Sequence, residues 1–326
     1  MTNILYDVAG IGNAIVDVLS FCDDAFLQTN ALAKGSMQLV DATRSAELYA
    51  KVGPSTECSG GSVANSLAGL ASLGARTAFI GKVADDKLGQ IFTHDMRSTG
   101  TYFTTSMLKG ELPSANCIVL VTPDAQRTMA TFLGACSQVT QADIDEELIK
   151  QSAIVYIEGY LWDTEHAKSA IRKAMALAKM HQRKVAMTLS DTFCVHRHRS
   201  EFLQLIHHEI DILFANEGEI KALYETEDFD TAIAKLQGQC EVAAVTRSEV
   251  GSVVVTKKEV IAVPTKAVAK VVDTTGAGDL YASGFLFGYS RGDALEQCAQ
   301  LGNACAGEII QHLGARSMKP LKALVA

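Results

Sequence analysis

Short apolar runs rich in β-branched residues alternate with helical patterns along this chain, and that alternation limits the fold more than any other feature. Strand-like runs fall at 4–11, 77–83, 153–157, 184–189, 211–214 and 242–246. Between them, segment 61–73 places Val63, Leu67, Leu70 and Ala71 on one helical stripe, and segment 166–180 does the same with Ala167, Ala170, Ile171, Ala174 and Ala178. Strands alternating with helices need crossover connections, so the predicted fold class is α/β with a mainly parallel sheet covered on both faces.

One region breaks the pattern. Segments 101–107, 115–122 and 127–133 read as consecutive strands, separated by turn signals at Lys109-Gly110 and Thr122-Pro123-Asp124, and 36–40 is a further extended piece. Together they predict a small β-sheet lid, formed by about 14–40 and 100–133 and inserted in one domain spanning 1–326.

The 37 acidic and 29 basic residues give a formal net charge of -8, and the densest basic cluster, His196-Arg197-His198-Arg199, is too short for a nucleic-acid stripe. Nucleic acid is therefore not an expected partner. No run approaches a membrane span, and the first residues lack the pattern of a signal peptide. The eight cysteines are scattered without a C-x-x-C pair and read as reduced thiols of a cytoplasmic protein. Cys194, His196 and His198 lie beside Arg197 and Arg199, a poor setting for a metal.

The most informative segment is Val271-Val272-Asp273-Thr274-Thr275-Gly276-Ala277-Gly278-Asp279, which runs into the apolar stretch 280–289. Gly276, Ala277 and Gly278 opening a buried helix would aim several unpaired N–H groups at one spot, with the helix dipole adding positive potential. That is an anion hole suited to a transferring phosphoryl group. Asp279 in the first turn is placed to take a proton from an attacking hydroxyl. A plain capped helix explains Asp279 but not the two glycines.

Three weaker segments accompany it. In Glu57-Cys58-Ser59-Gly60-Gly61-Ser62-Val63-Ala64-Asn65-Ser66, adjacent glycines let backbone approach a ligand and Asn65 projects from the first helical turn. Gly10-Ile11-Gly12-Asn13-Ala14-Ile15-Val16-Asp17 lacks the third glycine of a dinucleotide fingerprint, and Asp17, expected after a strand end, suits two neighbouring sugar hydroxyls or a simple turn. Asn216-Glu217-Gly218-Glu219 puts Asn216 and Glu219 on one face at a strand's end, suited to hydrated Mg²⁺ or equally to a helix cap. No P-loop is present: Gly81-Lys82-Val83 lacks both spacing and hydroxyl.

Gly60-Gly61-x-x-x-Asn65, Asn216-x-x-Glu219 and Asp273-Thr274-x-Gly276-Ala277-Gly278-Asp279, in that order, resemble the signatures of the ribokinase (PfkB carbohydrate kinase) family, and the likeness runs from about Asp7 to about Pro320. The resemblance implies a ribokinase-like three-layer α/β/α sandwich with a lid, and transfer from ATP with Mg²⁺ to a primary hydroxyl of a small sugar-containing molecule. It implies that Asp279 is the base and that Gly276, Ala277 and Gly278 form the anion hole. Asn13, Asp17, Gly60, Gly61 and Asn65 would hold the sugar, and Asn216 and Glu219 would organise Mg²⁺ through water. Thr246 and Gly251 would lie on the nucleotide side, Asn303 would form part of the adenine wall, and Asp273 and Thr275 would match a K⁺ site.

The Gly60–Ser66 and Asp211–Glu217 segments are similar to the adenosine kinase branch, as is Arg127, which there approaches the phosphates from the lid. Ribokinases usually have a lysine after the two glycines. Thr188 stands where relatives commonly have asparagine, and Tyr160, Trp162 and Phe132 are candidates for stacking on a purine. Adenosine to AMP is the first expectation. Ribose, fructose, inosine or guanosine as acceptor is the alternative, as is a silent nucleoside or sugar sensor. A monomer and a homodimer are both compatible with the sequence.

Overall fold

The computed structural model describes residues 3–124, 126–317 and 319–325. Nine strands form the main sheet in the order Val260–Val263, Ser252–Thr256, Val242–Thr246, Ile212–Asn216, Lys184–Thr188, Ser152–Glu158, Tyr6–Ile11, Thr77–Ile80 and Tyr102–Phe103. All neighbours from Val242–Thr246 to Tyr102–Phe103 are parallel, and the last two pairings at the opposite edge are antiparallel. Helices cover both faces. Glu165–Met180 buries Ala167, Ala170, Ile171 and Ala174 against one face, while Ser62–Leu73 and Ala277–Arg291 lie on the other. The apolar stripes read from the sequence are these buried faces, and their burial is the main stabilising contribution.

A second sheet of five strands has the order Met37–Leu39, Arg127–Phe132, Ala115–Val121, Ile15–Phe21 and Ser55–Gly60. One face carries Val18, Ile118, Leu120 and Ala130, packed against Leu27 and Leu48 of the helices Asp24–Thr29 and Ala42–Lys51. The other face carries Asp17.

The sheet corrects the predicted lid in three places. Asp17 does not follow a strand end; it lies inside the strand Ile15–Phe21. Ser55–Gly60, read as the approach to a helix, is an edge strand; its composition, Ser-Thr-Glu-Cys-Ser-Gly, hides it from a propensity argument. Segment 101–107 contributes only Tyr102–Phe103, which extends the main sheet beside Thr77–Ile80. The second sheet therefore draws on a third segment, residues 55–60, outside the expected 14–40 and 100–133.

Candidate active site

The carboxyl ends of adjacent parallel strands form a rim, the usual ligand position in an open α/β sheet. Along it stand Thr246, Asn216, Thr188 and Glu158, each ending its strand, and Asn13 just beyond Ile11. Above this rim two helices begin. Ser62–Leu73 and Ala277–Arg291 pack closely because Gly69 has no side chain: a Cβ there would lie 2.4 Å from the Ser283 hydroxyl. Ser283 Oγ donates instead to the Ser66 carbonyl at 2.8 Å. This close approach sets the first turns of the two helices face to face.

The result is a direct link between two of the sequence motifs. Ser62 Oγ donates to one Asp279 carboxylate oxygen at 2.6 Å, and Asn65 Nδ2 donates to the other at 2.9 Å. Burial pushes the Asp279 carboxyl above its ordinary range, and the Ser62 and Asn65 bonds pull against that shift. Asn65 Oδ1 is buried and has no partner among the described residues.

Gly276 caps its helix with φ at 77°, a left-handed conformation that glycine adopts without strain. Leu280 N bonds back to the Gly276 carbonyl at 2.8 Å, and Ala277 N makes a long 3.3 Å turn contact with Thr274 O. Among the described residues, the amides of Gly276, Gly278 and Asp279 have no acceptor, so they remain free to bind an anion.

The substrate-loop residues converge on the same space. Gly60 lies against Asp17 so closely that an added Cβ would be 2.3 Å from the carboxyl carbon. Burial pushes the Asp17 carboxyl up to about 7, with Arg316 opposing the shift and Asp279 adding to it. Asn13 donates through both its backbone N, at 2.9 Å, and Nδ2, at 2.8 Å, to Glu158 Oε1, while Val63 N donates to Oε2 at 3.0 Å. Burial also raises Glu158 to about 7, opposed by the bonds from Val63 and Asn13. Glu158 thus fixes Asn13 and the start of the Ser62–Leu73 helix together.

Asn216 and Glu219 form a reciprocal capping box. Asn216 Oδ1 accepts from Glu219 N at 2.9 Å, and the Glu219 carboxylate accepts from Asn216 N at 3.0 Å and Nδ2 at 2.6 Å. Burial raises Glu219 to about 7, opposed by the Asn216 backbone bond. Thr246 ends its strand beside Asn216, and Gly251, at φ 109°, turns the chain into the next strand. Asn303, expected in the adenine wall, is buried, its amide donating to the Val263 carbonyl at 3.0 Å.

Arg127 reaches out of the second sheet to the anion-hole turn. Its Nε lies 3.5 Å from Asp273 Oδ1, and Nη1 donates to Thr275 Oγ1. Asp273 also accepts from Thr275 N at 2.9 Å, Thr275 Oγ1 at 2.6 Å and Gly314 N at 2.9 Å. The side chains of Asp273 and Thr275 are thus engaged by protein donors and by the Arg127 guanidinium.

Two stacking candidates lie elsewhere. Trp162 is buried in the core with Nε1 donating to Glu201 at 2.9 Å. Phe132 pairs with Asn116, and so projects from the face of the sheet opposite Thr131, Cys117 and Asp17. Tyr160 donates to Asp191 at 3.0 Å, beside Glu219. Three contributors to the geometry carry no assigned role in the sequence motifs. Ser62 stands within a quoted motif, whereas Glu158 and Arg316 are isolated charges with no spacing signature.

The fold, with two helix starts meeting at the Asp279 carboxylate, is that of a phosphotransferase acting on a hydroxyl group. Residues 32–322 match the pfkB family carbohydrate kinase model, and the chain belongs to that family. It is similar to the adenosine kinase from Sinorhizobium meliloti, with 52% identity, 98% of each chain covered and a TM-score of 0.94. It is also similar to the probable sugar kinase protein from Rhizobium etli, with 46% identity, 100% of this chain and 98% of that one covered and a TM-score of 0.94. Among curated relatives, a 5-dehydro-2-deoxygluconokinase of Geobacillus thermodenitrificans is 26% identical over 78% of this chain and 79% of its own length. Kinases of this family use ATP with a divalent metal. Among the described residues no three His, Cys, Asp or Glu side chains converge to hold a metal ion. Glu219, the residue expected to meet such an ion through water, accepts from Asn216 through both carboxylate oxygens.

Proposed function

We propose that this kinase transfers the γ-phosphoryl group of ATP to the primary hydroxyl of a nucleoside, with adenosine, giving AMP, as the favoured acceptor. The observation that carries the reading is Asn65, which donates to Asp279 while its buried Oδ1 has no partner. A substrate hydroxyl that donates to Oδ1 would lie beside the carboxylate that must remove its proton, facing the free amides of Gly276, Gly278 and Asp279.

The inner face of the second sheet supports a base attached to the sugar. Leu39, Thr131, Cys117, Asp17 and Cys58 are direct cross-strand neighbours in one row. From Asp17 to Leu39 spans three strand spacings, about 14 Å. That length takes a ribose on Asp17 and a fused-ring base against Cys117, Thr131 and the adjoining Met129. Similarity to the S. meliloti adenosine kinase favours the same acceptor.

In the mechanism, Asp17 and Asn13 orient the sugar and the second sheet excludes water. Asp279 accepts the hydroxyl proton as the free amides of Gly276, Gly278 and Asp279 meet charge on the phosphoryl oxygens. Magnesium on the phosphates, when bound, would neutralise further charge there. The raised Asp279 carboxyl is a stronger base than an exposed aspartate, which suits proton removal from an alcohol.

A coupled ADP-release assay across adenosine, inosine, guanosine, ribose, fructose and 5-dehydro-2-deoxygluconate tests the reading. Adenosine is expected to give the highest kcat/KM by about tenfold or more. A free sugar outperforming every nucleoside would reject the nucleoside assignment.

A further inference from the structure

Residues 314 to 316 touch the site at three successive points. Gly314 N donates to Asp273 at 2.9 Å. Ala315 lies against Gly276, where an added Cβ would come within 2.7 Å of the Ala315 Cβ. Arg316 then crosses to the substrate loop. Its Nε donates to the Ser59 carbonyl, its Nη2 to Ser59 Oγ and its Nη1 to the Ala64 carbonyl, all at 2.9 Å. Ser59 is held from its other side by Asp95, which accepts from Ser59 N at 2.9 Å. A planar guanidinium can bridge a strand end and a helix start in this way because its donors are fixed in a fork; an ammonium has no such geometry.

The chemistry of this seat is unusual for a charged side chain. Arg316 is half-buried, and its donors go to two carbonyls, a hydroxyl and the Met96 sulfur at 3.6 Å; no carboxylate pairs with it directly among the described residues. Asp17, Asp95, Asp279 and Cys58 surround it within electrostatic reach. A half-buried charge with neutral partners still acts on nearby charges, and here those include the two carboxylates on which the proposed reaction depends.

We propose that Arg316 is a positioning residue of the kinase site: its guanidinium clamps Ser59 and Ala64 so that the substrate loop stays against the anion-hole turn, and it sets a fixed positive charge near Asp17 and Asp279. The inference rests on the roles assigned above to Asp17 and Asp279. Other groups act on the same pair. Asp17 also faces Arg127, Asp273, Cys58 and Cys117, and Asp279 also faces Ser62, Asn65, Arg127, Glu158, Tyr156 and Glu219. Arg316 pulls both Asp17 and Asp279 towards the usual carboxylate range more strongly than Arg127 does.

Two variants and two readouts test this. Arg316→Gln removes the charge, and Arg316→Lys keeps the charge but cannot span both carbonyls and the hydroxyl. In Arg316→Gln the acidic limb of the kcat/KM–pH profile should move to higher pH by about one unit, the size of an ordinary single-neighbour effect. In Arg316→Lys the limb should stay in place while kcat/KM falls about tenfold from lost positioning. A uniform loss in Arg316→Gln with both the limb and the Asp17 titration unmoved, or an equal limb shift in both variants, would overturn the proposal. If Arg316→Gln does not fold, Arg316→Met, which keeps the apolar stem and removes the charge, takes its place and the same limb shift is read.

Aspartate carboxyls labelled with ¹³C report the Asp17 titration without turnover. An upward shift in Arg316→Gln supports the inference even if the kinetic limb stays put, in which case the role given to Asp17 fails instead. An unmoved Asp17 titration overturns the inference and leaves the kinase reading intact.

Discussion

The side-chain amide of Asn65 donates to the Asp279 carboxylate at 2.9 Å, joining residues 214 positions apart in the chain. Two helix starts meet at this bond, one bringing the substrate loop and the other the anion hole. Close packing of the two helices, permitted by Gly69 against Ser283, holds the pair in register.

Asn65→Ala removes one of the two side-chain donors to Asp279 and the free Oδ1 acceptor. Turnover efficiency should fall by about 10²-fold, the usual effect of deleting one preorganised polar contact. Because the Asn65 bond holds the Asp279 carboxyl down against burial, the acidic limb of the rate profile should also move to higher pH. Steady-state kinetics between about pH 5.5 and 8.5 check both effects. An unchanged limb would separate Asn65 from the base.

Gly61→Ala tests the backbone of the substrate loop. Gly61 has φ at 91°, and a Cβ would fall 2.2 Å from the Asn13 carbonyl oxygen. The variant should lose about 1–3 kcal/mol of stability through strain. It should also raise the KM of the sugar-bearing substrate, since relief requires Asn13 to move. A melting temperature and KM both equal to those of the parent would contradict this account of the loop.

The ligand-free protein should lose stability as pH rises through neutrality. Asp17, Glu158 and Glu219 are each raised by burial to about 7. Unfolded carboxyls titrate near 4, so between about pH 4 and 7 the folded chain binds more protons than the unfolded one, and stability falls with rising pH across that window. The carboxyls held low by partners, such as Glu201 and Glu217, contribute below this range and do not offset the trend. Thermal melts at about pH 5.5 and 8 check it, with the higher melting temperature expected at the acidic end.

The α/β order, the two helices and the motifs at Gly60–Asn65 and Gly276–Asp279 were legible because each combines a periodic apolar stripe with glycines at fixed offsets. Legibility failed where function depends on isolated residues. Glu158 and Arg316 are single charges whose partners arrive from distant segments, Asn13 and Val63 for one and Ser59 and Ala64 for the other. The strand Ser55–Gly60 escaped for a different reason: an edge strand of small polar residues has no β-propensity to betray it, and its pairing to Ile15–Phe21 is what makes it a strand. Arg127, expected to approach the phosphates, lies in this structure on Asp273 and Thr275, a contact between distant segments that no spacing announces.

Single-turnover transfer from ATP to adenosine by Asp279→Asn addresses the phosphotransfer centre most directly. Nucleoside and ATP binding should stay within a few-fold of the parent, while the transfer step slows by about 10²–10⁴-fold, the range of a general-base contribution. Transfer at close to the parent rate would contradict the assignment of Asp279 as the group that takes the hydroxyl proton.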